Sequence, residues 1–134
     1  MRGNPFCGRW RIIEMETWDQ DYVDMEVPGY IELDKTGGGS FQFGLVQGTM
    51  DCRFELSADR PVVRFSWAGN DEMDQASGRG WAKIDAKGRM KGRIFIHDGD
   101  DSAFTATTIV ASADEARRPG ARGPRRAGSA RSRP

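Results

Sequence analysis

Glycines and turn dipeptides punctuate this chain every eight to twelve residues, and apolar and polar residues alternate between them. Period-two patterning with such closely spaced turns restricts the chain to an antiparallel all-β domain. Side chains on a strand alternate faces, so a correct hairpin sets apolar opposite apolar. FQFGLVQGTMDCRF, residues 41–54, meets that condition with a two-residue turn at Gln47-Gly48, which predicts Phe41 opposite Phe54, Phe43 opposite Cys52 and Leu45 opposite Met50. A turn at Ala58-Asp59-Arg60-Pro61 continues the face with Phe54 against Phe65, Leu56 against Val63 and Cys52 against Trp67. Upstream, a Gly37-Gly38-Gly39 loop adds Leu33 against Phe41 and Ile31 against Phe43.

In the second half, a three-residue loop Ala86-Lys87-Gly88, with Gly88 in the left-handed conformation that glycine tolerates, pairs Ile84 with Met90, Ala82 with Gly92 and Gly80 with Ile94. A first strand from Gly8 to Thr17 and a last from about Ala103 to Ala111, with Phe104, Ala106 and Thr108 inward, bring the count to about eight. Each strand lies beside its sequence neighbour. Such a sheet closes most simply on itself as an up-and-down barrel, which removes both exposed edges. A two-sheet β-sandwich is the alternative.

A length of 134 residues allows one domain with one core. The division is an N-terminal arm (1–7), a barrel (8–111) and a tail (112–134) of mostly Arg, Pro, Gly, Ala and Ser, whose scarcity of apolar residues predicts disorder. The formal charge of zero conceals an asymmetry: residues 1–113 carry 13 Lys+Arg against 18 Asp+Glu, whereas 114–134 carry 7 Arg against 2 acids. Tail arginines could hold phosphates by charge alone, so no specific nucleic-acid partner is expected. MRGNPFCGRWRI lacks a signal-peptide run, and no segment approaches the ~18 apolar residues of a spanning helix. The expectation is a cytoplasmic protein without a membrane partner. Cys7 and Cys52, without a CxxC pattern, suggest neither a zinc site nor a disulfide framework.

Candidate sites fall on both faces. In the first strand Trp10 and Ile12 share the inward parity, which turns Glu14 and Glu16 inward as well unless a bulge near Ile12 lets Ile13 and Met15 take over. With a bulge both glutamates face solvent; without one, Glu14 or Glu16 enters a polar barrel mouth, where a buried carboxylate needs a cationic partner. Phe41, Phe43, Phe54, Phe65 and Trp67 crowd one inner wall, while Gly78, Gly80, Ala82, Gly92 and Ala106 line the other. Eight strands enclose either a filled core or room for one small ligand. DQDYVDMEV, residues 19–27, reads either as one or two helical turns covering a mouth or as an acidic loop, and residues 68–78 read as a long acidic loop. His97 has outward parity, which argues against a role inside the barrel. Asp98, Asp100 and Asp101 read as a hairpin turn rather than a cation site. On the outer face Trp81 opposes Arg93 and Arg79 opposes Phe95, a cation–π lattice that could carry a homodimer.

GRWRIIEMETWDQDYVD, GYIELD, FQFGLVQGTMDCRF, RFSWAGNDEMDQASGRGWA and GRIFIHDGDDSAF together resemble a family of small bacterial hypothetical proteins, over about residues 8–106. Gly8-x-Trp10 and the strand count are similar to the lipocalin-like (calycin) barrels, in which that tryptophan plugs one end. The resemblance implies fold and bacterial origin; the family's activity is not established, so it transfers no catalytic residue.

The function expected from the residues is a noncatalytic barrel holding a small, largely apolar ligand among Trp10, Phe43, Phe65 and Trp67, with Glu14 and Glu16 at the mouth, and with no cofactor or metal. A packed-barrel protein interaction module is one alternative. An enzyme using carboxylates such as Glu14, Glu16 and Asp19 for acid–base work is another.

Overall fold

The computed structural model describes residues 4–57 and 59–109. Eight strands, β1 (Gly8–Met15), β2 (Tyr30–Leu33), β3 (Gly38–Phe43), β4 (Val46–Glu55), β5 (Val62–Asp71), β6 (Asp74–Ile84), β7 (Met90–Ile96) and β8 (Asp101–Thr108), pair in sequence order. β8 returns to β1, so the sheet is a closed antiparallel up-and-down barrel. One helical turn, α1 (Gln20–Val23), interrupts the series between β1 and β2. No helix among the described residues is long and apolar enough to cross a membrane. The tail, and the last two residues of the predicted barrel, lie outside the described residues.

Burial alternates along the strands, and the inward residues form one continuous core. The β6–β7 hairpin has the register expected from the sequence, with Ile84 opposite Met90 and Gly80 opposite Ile94, and Gly88 in its loop has φ +81°. The other expected registers are displaced by an even number of residues. Phe43 pairs with Val46 across a Gly44-Leu45 turn rather than with Cys52, Cys52 pairs with Phe65 rather than Trp67, and Leu33 pairs with Gly39 rather than Phe41. An even displacement leaves residues within the paired strands on their expected faces; the exceptions are Leu56, expected inward but exposed beyond the end of β4, and Leu45, half-buried in the turn while Val46 takes the inward place.

The packing selects Gly44-Leu45 over Gln47-Gly48. A Cβ on Gly48 would lie 2.7 Å from Trp67 Cε3 and 3.0 Å from the Phe41 ring, so this glycine is needed inside the strand as room for two aromatics. Gly44, at φ +58°, supplies the turn conformation instead.

Three further expectations are corrected. The acidic loop over residues 68–78 is absent: β5 and β6 run to Asp71 and Asp74 and join through Glu72-Met73, with Glu72 at φ 58°. β8 starts at Asp101, buries Ser102, Phe104 and Ala106, and leaves Thr108 exposed at the strand end. In β1 the anticipated bulge lies between Ile12 and Glu14; it keeps Trp10, Ile12 and Met15 inside but turns Ile13 outward, so of the two residues expected to take over only Met15 does.

Candidate functional site

The barrel has two ends and an interior, and each is closed by identifiable side chains. At one end Phe6 is completely buried and stacks 6.0 Å from Phe54. Trp10, buried beside it, donates its indole N–H to the Phe6 carbonyl at 2.9 Å. A buried indole N–H needs an acceptor, and here the arm provides it. Phe6, in the N-terminal arm, is part of the core.

The other end is covered by the segment before β2. Asp19 caps α1 by accepting the Tyr22 N–H at 3.0 Å, and Val23 is inserted with no exposed surface. Trp18 lies 5.0 Å from Phe43 and 6.0 Å from Tyr22, ring centre to ring centre. The Tyr22 hydroxyl accepts the Leu45 N–H, and the Gly44 N–H donates to the Val23 carbonyl. Asp24 ties this cover to β1: it accepts from Arg11 at 2.6 and 2.9 Å, from Gln20 at 3.0 Å and from the Gly29 N–H at 2.8 Å. Partial burial pushes the Asp24 pKa up, but the hydrogen bonds from Arg11, Gly29 and Gln20 outweigh it and hold the carboxyl below its ordinary value.

Between the ends, Phe41 lies 5.8 Å from Phe43 and meets Trp67 edge-on at 5.1 Å. The Trp67 indole N–H passes out to the Phe95 carbonyl at 3.2 Å. Glycines on the opposite wall accept these rings: a Cβ on Gly80 would stand 2.4 Å from Phe65 Cζ. The remaining cavity, bordered by Ile12, Met15, Phe41, Phe43, Phe65 and Phe104 among others, measures about 10 Å³. That is about the space of one water molecule.

The structure therefore gathers Trp10, Phe43, Phe65 and Trp67 inside, and separates them from Glu14 and Glu16. The bulge puts both glutamates on the solvent side, where they border a surface groove of about 210 Å³ with Ala103, Phe104 and Thr105. Glu16 pairs with Arg93 at 3.0 Å and accepts the Ala103 N–H. Asp19 acts as a helix cap. His97 is exposed, 3.4 Å from Asp98. Among the described residues no three His, Cys, Asp or Glu side chains converge as a metal site would require.

On the outer face Trp81 and Phe95 are half-buried. Arg79 stands over Phe95 at 5.0 Å and Lys83 over Trp81 at 5.5 Å. Arg93, opposite Trp81 as expected, binds Glu16 and Asp101 instead of the indole.

No family model, curated protein or solved structure matches this chain.

Proposed function

We propose that this protein is a noncatalytic packed barrel that works through its outer surface as an interaction module. The supporting observation is the filled interior, about 10 Å³ where pockets for drug-sized ligands are ~300–1,000 Å³. Tight packing against Gly48 and Gly80 and plugs at both ends leave the interior ligand without a chamber. The surface proposed for association is the Trp81–Phe95 face, and the partner a second copy. Two aromatics there lie under Arg79 and Lys83, and aromatic and arginine side chains are enriched at protein–protein interfaces, which in a two-fold dimer use the same patch on both subunits. A cytoplasmic setting belongs to the same reading: Cys7 and Cys52 are both free thiols, and burial pushes Cys52 up to about 11, away from reactive thiolate chemistry.

Native mass spectrometry of freshly purified protein, with light scattering on the full chain and on Trp81→Ala, tests both parts. No retained small molecule and a dimer lost in Trp81→Ala are expected. A retained apolar ligand would return the function to the interior, and a monomer at every concentration would remove the dimer.

A further inference from the structure

The topology sorts the connections between strands onto the two ends of the barrel, and with them the charge. At the α1 end the connections are 16–29, 44–45, 72–73 and 97–100. They contain Glu16, Asp19, Asp21, Asp24, Glu26, Glu72, Asp98 and Asp100 and neither Lys nor Arg. At the opposite end, connections 34–37, 56–61 and 85–89 mix Asp34, Asp59 and Asp85 with Lys35, Arg60, Lys87 and Arg89. The same α1 end carries most of the exposed large hydrophobics: Met73 is 93% exposed, and Ile13, Met25 and Val27 are between 37% and 49%. Asp24 and Glu16 are already paired with Arg11 and Arg93, but Asp21, Glu26, Glu72 and Asp100 have no cationic partner among the described residues, and such acids around exposed apolar surface complement a basic segment.

The chain holds one. The described residues end at Ile109, whose N–H donates to the Arg9 carbonyl at the opposite, Phe6-plugged end. A further 25 residues follow, containing seven arginines, no lysine and a net charge of +5 from residue 114 onward. The length suffices. β8 spans roughly 26 Å at ~3.3 Å per residue; Arg117 lies eight residues past Ile109, a reach of up to ~26–29 Å. Arginine also fits the surface chemically, because its planar fork pairs with carboxylates while its stem lies over apolar side chains. Tethering gives the segment an effective concentration of order millimolar, which favours its own barrel over a second copy at micromolar protein. We infer that the arginine-rich C-terminal segment, residues 114–134, docks in cis on the acidic, apolar α1 end and masks Met25, Val27 and Met73.

Amide NMR of the full chain, compared with a full-length variant in which all seven tail arginines are glutamine, provides the test. The substitutions all lie outside the barrel. Shift differences are expected to concentrate in 16–29, 71–74 and 97–101, and to vanish near 0.5 M salt, where the Debye length falls to roughly 4 Å. Differences confined to residues beside Ile109, or none, would overturn the contact. Asp21→Asn, Glu26→Gln and Glu72→Gln together should shrink the same shifts; shifts of undiminished size would also overturn it. Light scattering should give the same mass for both chains, and a larger assembly formed only with the arginines present would assign the segment to a second copy instead.

Discussion

At the scale of single residues, the interior is decided by where side chains are missing. Gly80 has Phe65 Cζ 2.4 Å and the Arg93 carbonyl oxygen 2.7 Å from where its Cβ would be, and the second of these is backbone and cannot swing away. Gly80→Ala should therefore lower stability by about 1–3 kcal/mol, read from the shift of the urea unfolding midpoint. Phe6→Ala should lower it by about 3–5 kcal/mol and expose the Trp10 indole, visible as a red-shifted tryptophan emission; a change below about 0.5 kcal/mol would mean that Phe6 is not a core residue. The faces of Phe41, Phe43, Phe65 and Trp67 were legible in the sequence because alternation alone sets them. The burial of Phe6 was not. It precedes the first strand and takes part in no alternation, and the one clue to it was an indole that needed an acceptor among nearby residues.

At the scale of elements, the cover at the α1 end depends on one carboxylate. Asp24 joins Arg11, Gln20 and the Gly29 N–H, so it couples α1 to β1 and to the start of β2. Its folded pKa lies below its ordinary value, so the stabilisation it brings is present above the unfolded value near 3.9 and is lost as pH falls through the folded one. Protection of the Val23 and Gly44 amides, relative to their intrinsic exchange rates at the same pH, should fall below about pH 4. Asp24→Asn should show the lower protection at neutral pH and lose most of the acid dependence; protection unchanged in that variant would sink the role of Asp24. Asp34 and Asp85 are also lowered, by hydrogen bonds within their own turns at the opposite end, so global unfolding in acid does not substitute for this local readout. Strand count and closure could be read from the sequence, but hairpin registers only modulo two: Gly44 and Gly48 both offered a turn, and the choice rested on Trp67 and Phe41, which meet Gly48 only in the folded barrel. The β5–β6 ends were hidden for a related reason. Residues 68–78 project where little core remains, so they carry no apolar alternation to mark them as strand.

At the scale of the whole molecule, closure and filling are linked. β1 meets β8 through Trp10–Thr108 and Ile12–Ala106, contacts between the two ends of the sequence, so the barrel exists only when the entire chain through β8 is in place. The arginine-rich segment follows β8, so deletion after Ala113 should leave the barrel folded and lower the unfolding free energy only by what docking contributes, about 1 kcal/mol at low salt and close to zero near 0.5 M salt. The filled interior makes the sharper prediction. With about 10 Å³ free, the native protein has no room for xenon, whereas Phe65→Ala removes a ring from the wall of that cavity, at a cost of about 3–5 kcal/mol. An apolar cavity of that origin stays dry and accepts small apolar guests. Pressurised xenon should therefore raise the melting temperature of Phe65→Ala and leave the native protein unmoved. Were the native protein stabilised to the same degree, its side chains would have to part readily around a guest. The interior would then serve as a binding chamber that opens on demand, and the outer-surface reading would give way to it.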